Sequence, residues 1–525
     1  MMNTDKALKV RRGLGVAVLL SVMVAATASA EEERHQVHHQ VSAGRWIAGD
    51  FHNHTYLTDG SNVEADVLAN AFRFGLGWIA NSEHGGTSAR SPQGAAWPTD
   101  TLFLGNPPAG KMWRWQSLEQ YSYPIIAEAR TTNPDKLIVQ GYEWNVPTHE
   151  HASVGIVGSA EQGGKAIAQH EYLFDAGDSG STSDSYLGVT GKVVANSHDK
   201  AVAGARWLEE NYSKASYFLL NHPSRTLKYS IADIRDFNNA APDVAFGFEG
   251  IPGHQKEAQR GGYGGASPKS RTYGGADYMV AKVGGLWDAL LGEGRHFYCF
   301  VNSDFHSVGG DFWPGEYAKS YTFARDENHD GNISPDELVD GLRSGNSFAV
   351  HGDLISALDF TAGHGDRRAA MGSELHLDKG ANLTIKIRFK SPERNNNGDA
   401  VAVDHIDLIA GEITGKVAKF MEDGVTPNPN YGKDTNKSTR VVATFAKKDF
   451  EVDEDGYRTI VYPVKHLKKA TYFRLRGTNL ASNTANETDA QGNPLIDDLM
   501  GGNTPANAYA DLWFYSNPIF VHVSQ

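Results

Sequence analysis

Short apolar runs alternate with helix-like, glycine-punctuated stretches between Arg45 and about Gly352. The runs are WIAGDF, GWIANS, KLIVQGYEW, SYFLLNHP, DVAFGFEG and HFYCFVNSDF, and a stretch with helical spacing, NVEADVLANAFRF, separates the first two. Strands that alternate with helices form parallel sheets, so this region is predicted to be an α/β domain. Its length suits a barrel.

Histidine, aspartate or glutamate residues stand at the ends of most of these runs. A single H-x-H pair is weak evidence for a metal, but donor residues recur at six separate ends. In α/β barrels the loops at the carboxyl ends of the strands share one face, so these side chains are expected to converge. The residues concerned are His52, His54, His84, Glu143, His222, Glu249, Asp304 and His306.

Two of these positions carry donors two residues apart, at His52 and His54 and at Asp304 and His306. Side chains at i and i+2 of a strand point to the same face, so each pair is predicted to bind one ion together. Imidazole and carboxylate donors suit zinc, manganese or iron, and two or more such ions close together make a hydrolytic site.

The composition of the chain limits the number of domains and the classes of partner to be expected. With 525 residues, 40% of them hydrophobic and 21% charged, the chain is expected to fold into two domains. The net charge of −14 argues against nucleic acid or an anionic membrane, because both need clustered lysine and arginine. Cys299 is the single cysteine, so no disulfide framework is possible and any metal must be held by nitrogen and oxygen.

The composition changes after Gly352. The runs ANLTIKIRFKS, VDHIDLIAG, RVVATFAKK, YRTIVYPVK, TYFRLRGTN and LWFYSNPIFVHVS alternate or are rich in β-branched residues, and Asn-, Gly- and Asp-rich turns separate them. This pattern is typical of an antiparallel sandwich. Residues 353–525 are therefore predicted to form an all-β, sandwich-like second domain, for which the sequence indicates no ligand.

The N-terminus has the features of a signal peptide over residues 1–30. Lysines and arginines precede the apolar run GLGVAVLLSVMVAATA, and Ala28-Ser29-Ala30 then supplies a cleavage pattern. Residues 31–44 would be the tail of a periplasmic or secreted protein. An uncleaved anchor is the competing interpretation, and Arg11-Arg12 could belong to a twin-arginine signal. No later stretch is long and apolar enough to span a bilayer.

An ordered series of short motifs runs through residues 45–352: HNH followed by Asp59, SEH at 82–84, GYE at 141–143, HASVGIV from His151, NHP at 221–223 and SDFH at 303–306. The series resembles the PHP superfamily, the polymerase and histidinol phosphatase metallophosphoesterases, and most of all its exported branch of carbaryl-hydrolase-like proteins. The resemblance implies a distorted (β/α)7 barrel with two or three divalent transition-metal ions at its carboxyl-end face.

The same resemblance implies a set of metal ligands, with Glu143 as the carboxylate that bridges two ions. The ligands would be His52, His54, Asp59, His84, Glu143, His151, His222, Asp304 and His306.

Three points in this set are open. Where the family has Asp-His, this chain has Glu83-His84, and Glu83 is interpreted as orienting a ligand imidazole through its other ring nitrogen. Asp59 is either a ligand or a partner of one. His149 would share a face with His151 on a strand, and the family spacing favours His151. Glu249 and His254 are left outside the ligand set.

The predicted function is that of an exported metal-dependent phosphoesterase, acting on a small phosphomonoester or phosphodiester through metal-activated water. Neither a GxSxG elbow nor a P-loop is present, which removes the common serine-hydrolase and nucleotide-binding classes. Arg225 is the candidate cation for the substrate phosphate, although a surface role is equally compatible. The alternatives are a carbamate, ester or amide hydrolase, and a non-catalytic binding protein. The oligomeric state is open.

Residues 326–337, DENHDGNISPDE, match the EF-hand loop pattern. Gly331 would give the sharp turn, and a strand before the loop with a helix after it would make this a lone EF-hand-like corner. An acidic turn without metal is the alternative. The predicted calcium ligands are Asp326, Asn328, Asp330, Asn332 through its carbonyl, and Glu337 through both oxygens.

Overall fold

The computed structural model describes residues 44–158, 163–497 and 505–524. The predicted signal peptide and nearly all of the predicted tail lie outside these ranges. Within them, no helix combines the length and the apolar character that crossing a membrane requires.

Strands and helices alternate through the first part of the described chain. In order the elements are β1 Gly44–Asp50, α1 Glu64–Arg73, β2 Trp78–Ala80, β3 Thr87–Ser88, β4 Met112–Trp113, α2 Arg114–Ser117, a π-helix Leu118–Ser122, α3 Tyr123–Thr132, β5 Leu137–Asn145, β6 His151–Ile156, α4 Gly163–Phe174, α5 Asp184–Leu187, α6 His198–Tyr212, β7 Ser216–Leu220, α7 Ile231–Ala240, β8 Gly247–Ile251, a 3-10 turn Pro268–Ser270, β9 Thr272–Tyr273, β10 Ala276–Asp277, α8 Tyr278–Ala281, α9 Leu286–Gly292, β11 Tyr298–Val301, β12 Ala318–Arg325, α10 Pro335–Ser344 and β13 Ser347–His351.

The later part is mainly strands. Its elements are β14 Ala357–His364, β15 Arg367–Ala370, β16 Glu374–Leu377, β17 Leu383–Lys390, β18 His405–Glu412, β19 Arg440–Ala446, a 3-10 turn Lys447–Asp449, β20 Glu451–Val452, β21 Arg458–Val464, β22 Thr471–Thr478, α11 Pro505–Ala510, β23 Trp513–Ser516 and β24 Ile519–Val523.

Seven strands of the first part form a row in the order β11-β8-β7-β6-β5-β2-β1. The pairs β1–β2, β2–β5, β7–β8 and β8–β11 are parallel, whereas β6 runs antiparallel to both neighbours. Beyond the two outer strands, Asn53 forms a parallel bridge with Phe305, and the His54 N–H donates to the Phe305 carbonyl at 2.8 Å. The carboxyl ends of β1 and β11 therefore meet.

The predicted mixed α/β class is confirmed, whereas the distorted (β/α)7 barrel is not confirmed and stays a prediction. One departure from a parallel barrel is that β6 follows β5 in an antiparallel hairpin. The strands of the row are buried on both faces, as expected for apolar runs under helices. Aromatic rings fill the interior of the row: Phe51 stacks on Trp78 with ring centroids 5.9 Å apart and packs edge-on against Phe300 at 5.8 Å.

The large sheet continues past β1 into the later part of the chain. β12 pairs antiparallel with β1, β13 with β12, and β23 with β13, followed by β22, β18 and β19. Strands from both sides of residue 352 thus share one sheet. The proposed domain boundary there remains a prediction.

A separate five-stranded antiparallel sheet, β15-β14-β17-β21-β20, faces the later strands. The Phe445 ring of β19 lies 5.6 Å from that of Tyr462 of β21, so the two sheets touch through their side chains. The pair β16–β24 is parallel, which departs from the purely antiparallel pattern expected for this region.

A buried ion pair and a buried hydrogen bond hold the later part of the chain against the first part. Arg474 of β22 donates through two nitrogens to the carboxylate of Asp288 in α9, each at 2.8 Å. Arg235 of α7 donates to the Tyr431 carbonyl and pairs with Glu293 at 2.5 Å. The segment around Tyr431, between β18 and β19, therefore lies over α7.

Candidate metal centre

The Glu143 carboxylate on β5 is fully buried and lies at the centre of a histidine cluster. Each of its oxygens is close to ring nitrogens that come from different ends of the strand row. Its nitrogen–oxygen separations are 3.1 Å to His52, 3.4 Å to His54, 2.8 Å to His84, 3.1 Å to His151 and 3.3 Å to His222. One carboxylate surrounded by five imidazoles has the arrangement expected of a bridging metal ligand.

Two further carboxylates complete the cluster. Asp304 Oδ1 lies 3.0 Å from His52 Nε2 and 3.2 Å from His54 Nε2. Asp59, which is largely exposed, lies 3.4 Å from both His84 Nε2 and His306 Nε2. All nine predicted ligands are thus brought together, whether or not each one binds an ion.

The donor atoms fall into overlapping groups whose members lie within 4.8 Å of one another. Four residues belong to more than one group, as ligands shared by adjacent ions would: His52, His54, His84 and Glu143. The groups are His52, Glu143 and His222; His52, His54 and Asp304; His84, Glu143 and His151; and His54, Asp59, His84 and His306.

Among the described residues, three buried atoms at the middle of the cluster have close neighbours but form no hydrogen bond of acceptable geometry: His54 Nε2, Glu143 Oε2 and Asp304 Oδ1. The His54 nitrogen is 3.4 Å from the first oxygen and 3.2 Å from the second. A buried polar atom left unpaired costs about 1–3 kcal/mol, so three of them facing one point are costly unless a ligand binds there. Nitrogen and carboxylate donors of this kind fit divalent transition metals.

Most ligands lie just beyond the strands, which corrects the expectation that the paired donors share a strand face. β1 ends at Asp50 and β11 at Val301, before His52 and Asp304. His222 and Asp304 adopt left-handed φ values of 31° and 43°. Such conformations cost about 1–3 kcal/mol each and are concentrated at functional sites.

Asp50 holds the two ligand-bearing segments together. Its Oδ1 accepts from the His52 N–H at 2.9 Å, and its Oδ2 accepts from the Ser303 N–H at 2.7 Å. Burial raises the pKa of Asp50 to about 7, although these hydrogen bonds oppose the shift. The sequence analysis did not identify this residue, and its place two residues before His52 of HNH was the available signal.

Glu249 and His254, which were left outside the ligand set, contact ligands. Glu249 Oε1 lies 3.1 Å from His52 Nδ1, and its Oε2 accepts from the His222 N–H at 2.8 Å. His254 Nε2 lies 3.0 Å from Asp304 Oδ2. Carboxylates that hold the outer nitrogen of a ligand histidine fix its tautomer and its orientation.

Two other residues were missed. Asn221 donates to Glu143 Oε1 at 2.9 Å, and Asp311 Oδ1 lies 2.7 Å from His254 Nδ1. Asn221 is the first residue of the NHP motif, so its position gave a signal. Asp311 lies seven residues beyond Asp304, and only the fold brings it to the site.

The interpretation of Glu83 needs correction. Its carboxylate accepts from the Thr55 N–H at 3.1 Å and from the hydroxyls of Thr55 and Thr58, not from an imidazole. The Thr58 hydroxyl in turn lies 3.4 Å from His54 Nδ1. Glu83 therefore fixes the loop after HNH and reaches a predicted ligand only through Thr58.

The open choice between His149 and His151 has a geometric answer. His151 Nδ1 lies 3.1 Å from Glu143, as described, whereas His149 Nε2 lies 2.9 Å from His198 Nδ1. His149 stands in the turn before β6, where the alternation of a strand does not apply, and it faces a different group of side chains.

The charges of the cluster stabilise one another. Burial by itself would raise the pKa of Glu143, but His52, His151 and His84 hold it well below its usual value. Burial lowers the pKa of His54 well below normal, and His306 and His84 add to the shift. Burial and the Arg225 charge lower the pKa of His222 to about 4. Neutral His54 and His222 can therefore act as ligands at neutral pH.

Arg225 lies at the edge of the cluster. Its Nη2 lies 2.9 Å from His222 Nε2 and 3.3 Å from Glu150 Oε1, and its Nη1 lies 4.0 Å from Asp304 Oδ2. The guanidinium donates to the same His222 nitrogen that faces Glu143. If that nitrogen bound a metal ion, Arg225 would lose this contact and could turn to an anionic group nearby.

The EF-hand-like loop joins β12 to α10, so its expected strand and helix flanks are present. Asp326 accepts from the N–H groups of Asp330 and Gly331 at 3.1 and 2.9 Å. Glu337 Oε1 accepts from the Glu327 N–H at 2.8 Å, and its Oε2 accepts from the Ser334 N–H at 2.8 Å in a capping box. Calcium binding there remains a prediction.

No family model matches this chain, and no curated protein matches it. Among solved structures, one from Bacteroides vulgatus, described as a two-domain protein containing a predicted PHP-like metal-dependent phosphoesterase, is similar. The similarity covers 86% of this chain and 95% of that chain, with 12% sequence identity and a TM-score of 0.30. A likeness this low assigns no residue a role, and the functional argument therefore rests on the site itself.

Proposed function

We propose that this chain is a metal-dependent hydrolase that acts as a phosphoesterase on a small phosphomonoester or phosphodiester. The observation that carries the proposal is the Glu143 carboxylate, buried among five imidazoles, beside His54 Nε2 and Asp304 Oδ1, which form no hydrogen bond within the described part of the chain. Buried polar atoms in folded proteins are mostly hydrogen-bonded, so unpaired atoms that coincide with overlapping groups of potential metal ligands favour a bound ion.

The predicted ligands would hold two or three divalent ions, with Glu143 shared between two of them. Such ions lower the pKa of a bound water to about 7 and stabilise negative charge on an attacked oxygen. Glu249 keeps His52 in the tautomer whose Nε2 faces Glu143 and Asp304. Asn221 holds the Glu143 carboxylate in place through its donated hydrogen bond.

Arg225 gives the reason for preferring a phosphate ester. It is a cation at the edge of a cluster of imidazoles and carboxylates, and guanidinium groups pair well with phosphate oxygens. Its contact with Glu150 keeps it near the cluster. Export to the periplasm or the medium, and the likeness to carbaryl-hydrolase-like proteins, remain part of the proposal on the sequence alone.

The test is a panel of chromogenic substrates assayed with metal-loaded and chelated protein: one phosphomonoester, one phosphodiester, one aryl carbamate and one carboxyl ester. The proposal expects turnover of a phosphate ester, its loss on chelation and its recovery with Zn²⁺ or Mn²⁺. A carbamate turned over much faster than either phosphate ester would make the carbamate hydrolase the better assignment. Activity that survives exhaustive chelation would rule out both.

A further inference from the structure

A second group of imidazole and carboxylate side chains lies outside the Glu143 centre. His149 stands in the turn between β5 and β6, His198 is the first residue of α6, and Asp233 is in the first turn of α7. Their donor atoms lie within 4.8 Å of one another. His149 Nε2 is 2.9 Å from His198 Nδ1, which is 3.6 Å from Asp233 Oδ1.

The outer ring nitrogens of both histidines are bound to oxygen acceptors. His149 Nδ1 lies 2.8 Å from the Lys228 carbonyl, which can only accept, so this nitrogen carries the proton. His198 Nε2 lies 3.1 Å from a carboxylate oxygen of Asp236. Asp236 also accepts from Lys419 Nζ at 2.8 Å and from the Tyr431 hydroxyl at 2.9 Å, as an ionised carboxylate would.

The inner nitrogens, His149 Nε2 and His198 Nδ1, are therefore both lone-pair atoms when the two rings are neutral. They face each other across 2.9 Å, a contact that is repulsive unless a cation or a proton lies between them. Metal-bound histidines commonly donate their other nitrogen to a carbonyl or a carboxylate, which is the arrangement seen on both rings. Asp233 uses Oδ2 in the α7 capping box and leaves Oδ1 toward His198.

The rings are also held in place by packing. His149 stacks on Tyr229 with centroids 5.2 Å apart at an angle of 7°, and Phe237 contacts both imidazoles. Thr148, just before His149, has a φ of 67°. A β-branched residue in the left-handed region is unfavourable, so something must hold this turn in its conformation.

We propose that His149, His198 and Asp233 form a separate structural site for one transition-metal ion, of the class of Zn²⁺, Co²⁺ or Ni²⁺. Ligands ~2.1 Å from a tetrahedral ion lie ~3.4 Å apart, and the observed separations of 2.9 and 3.6 Å fall on either side of that value. Two imidazoles and one carboxylate suit such ions, and water completes the coordination.

The site has a defined structural effect. It ties the turn between β5 and β6 to the N-terminal ends of α6 and α7, and through Asp236 to the segment around Tyr431. The next residues along the turn are Glu150, which contacts Arg225, and His151, which contacts Glu143. An ion there fixes the hairpin that carries part of the Glu143 centre.

The experiment measures bound metal in the full-length protein. Protein stripped by chelation is reloaded with Zn²⁺, freed of unbound ion and analysed by mass spectrometry of the metal. His149→Ala/His198→Ala is expected to hold one equivalent fewer than wild type. His364→Ala/His466→Ala removes one half-buried and one exposed histidine elsewhere and is the matched control, with no loss expected.

A second set of variants, in which the Glu143 centre is already altered, tests this site independently of the proposed function. In His52→Ala/His54→Ala protein the second site should still take one Co²⁺, seen as visible absorption, and the further His198→Asn change should remove it. His198→Asn alone serves if the double alanine variant does not fold. Unchanged zinc content in the His149→Ala/His198→Ala or His198→Asn protein would overturn the proposal, whatever becomes of the Glu143 centre.

Discussion

The Glu143 centre and the loop at 326–337 are both rich in metal-binding side chains, but the hydrogen bonding of their carboxylate oxygens differs. At the centre, Glu143 Oε2 and Asp304 Oδ1 are buried and form no hydrogen bond with any residue that the structure describes. In the loop, both oxygens of Asp326 and both oxygens of Glu337 accept from backbone N–H groups.

This difference predicts how strongly each region depends on an ion. A loop whose carboxylates are satisfied by its own backbone can keep its conformation without metal, whereas each buried atom without a hydrogen bond costs free energy that a bound ion would recover. Metal should therefore decide activity at the Glu143 centre. In the loop, calcium should change stability only slightly.

The largest effect is expected for His52→Ala/His54→Ala. Both side chains contact Glu143 and Asp304, so their loss removes two donors from the shared region of the cluster. We expect hydrolysis to fall by about 10³-fold or more, since losing even one preorganised charge-stabilising group costs about 10²–10³-fold. Steady-state kinetics measure this, and circular dichroism checks the fold. Near-normal activity in a folded double variant would show that hydrolysis does not need these histidines.

A smaller loss is expected for Glu249→Gln. The change keeps the size of the side chain but weakens its hold on His52 Nδ1 and on the His222 N–H. Removing such an orienting group costs about 10–100-fold in metal affinity or activity. Titration with Zn²⁺ measures the affinity, and Glu451→Gln, at an exposed position, is the control. Equal affinities of the two variants would show that Glu249 does not orient the ligand.

Arg225→Ala tests the substrate group, with an expected effect of about tenfold. Losing one charge-assisted hydrogen bond of about 1.5 kcal/mol lowers kcat/KM for a phosphate ester by roughly that factor. Inhibition by vanadate, a tetrahedral oxyanion, should weaken in parallel. For a carbamate or carboxyl ester the same change should matter little. An unchanged vanadate inhibition constant would show that Arg225 does not contact the phosphate group of the substrate.

The smallest effect is expected for Glu337→Gln in the loop. The wild-type melting temperature should rise by a few degrees at most in calcium, because the ion stabilises a loop that is already hydrogen-bonded. The variant should lose this rise and keep its transition-metal content. Scanning calorimetry with calcium and with chelator measures the shift. A wild-type melting temperature that does not change with calcium would favour the alternative, an acidic turn without bound metal.

Much of the fold could be predicted from local pattern. Each of the six apolar runs before residue 302 contains a strand, and residues 64–73 form the expected helix. Asp66 lies in its first turn and Arg73 in its last, as the helix dipole favours. The antiparallel direction of β6 was not predictable, because it depends on the tight turn at 146–150 and not on the residues of the strand.

The candidate site was predictable where donors follow a strand end and not where the fold alone brings them in. Glu249 ends an apolar run and was noticed, but its contacts with His52 and His222 come from strands far apart in sequence. His254 sits in a loop with a φ of 54°, and nothing in the residues around it shows that it faces Asp304. The sheet that crosses residue 352 was also hidden, because pairing between residues far apart in the sequence, such as Phe348 and Ser516, leaves no local pattern.

The central claim is that Glu143 bridges bound metal ions. The most direct measurement is the number of transition-metal equivalents held by wild type and by Glu143→Gln, both in the His149→Ala/His198→Ala background so that the second site does not contribute. The amide keeps the size of the side chain but removes the charge that five imidazoles surround. The account predicts two or more equivalents with Glu143 and at least one fewer with glutamine. The same number of ions in both proteins would contradict it.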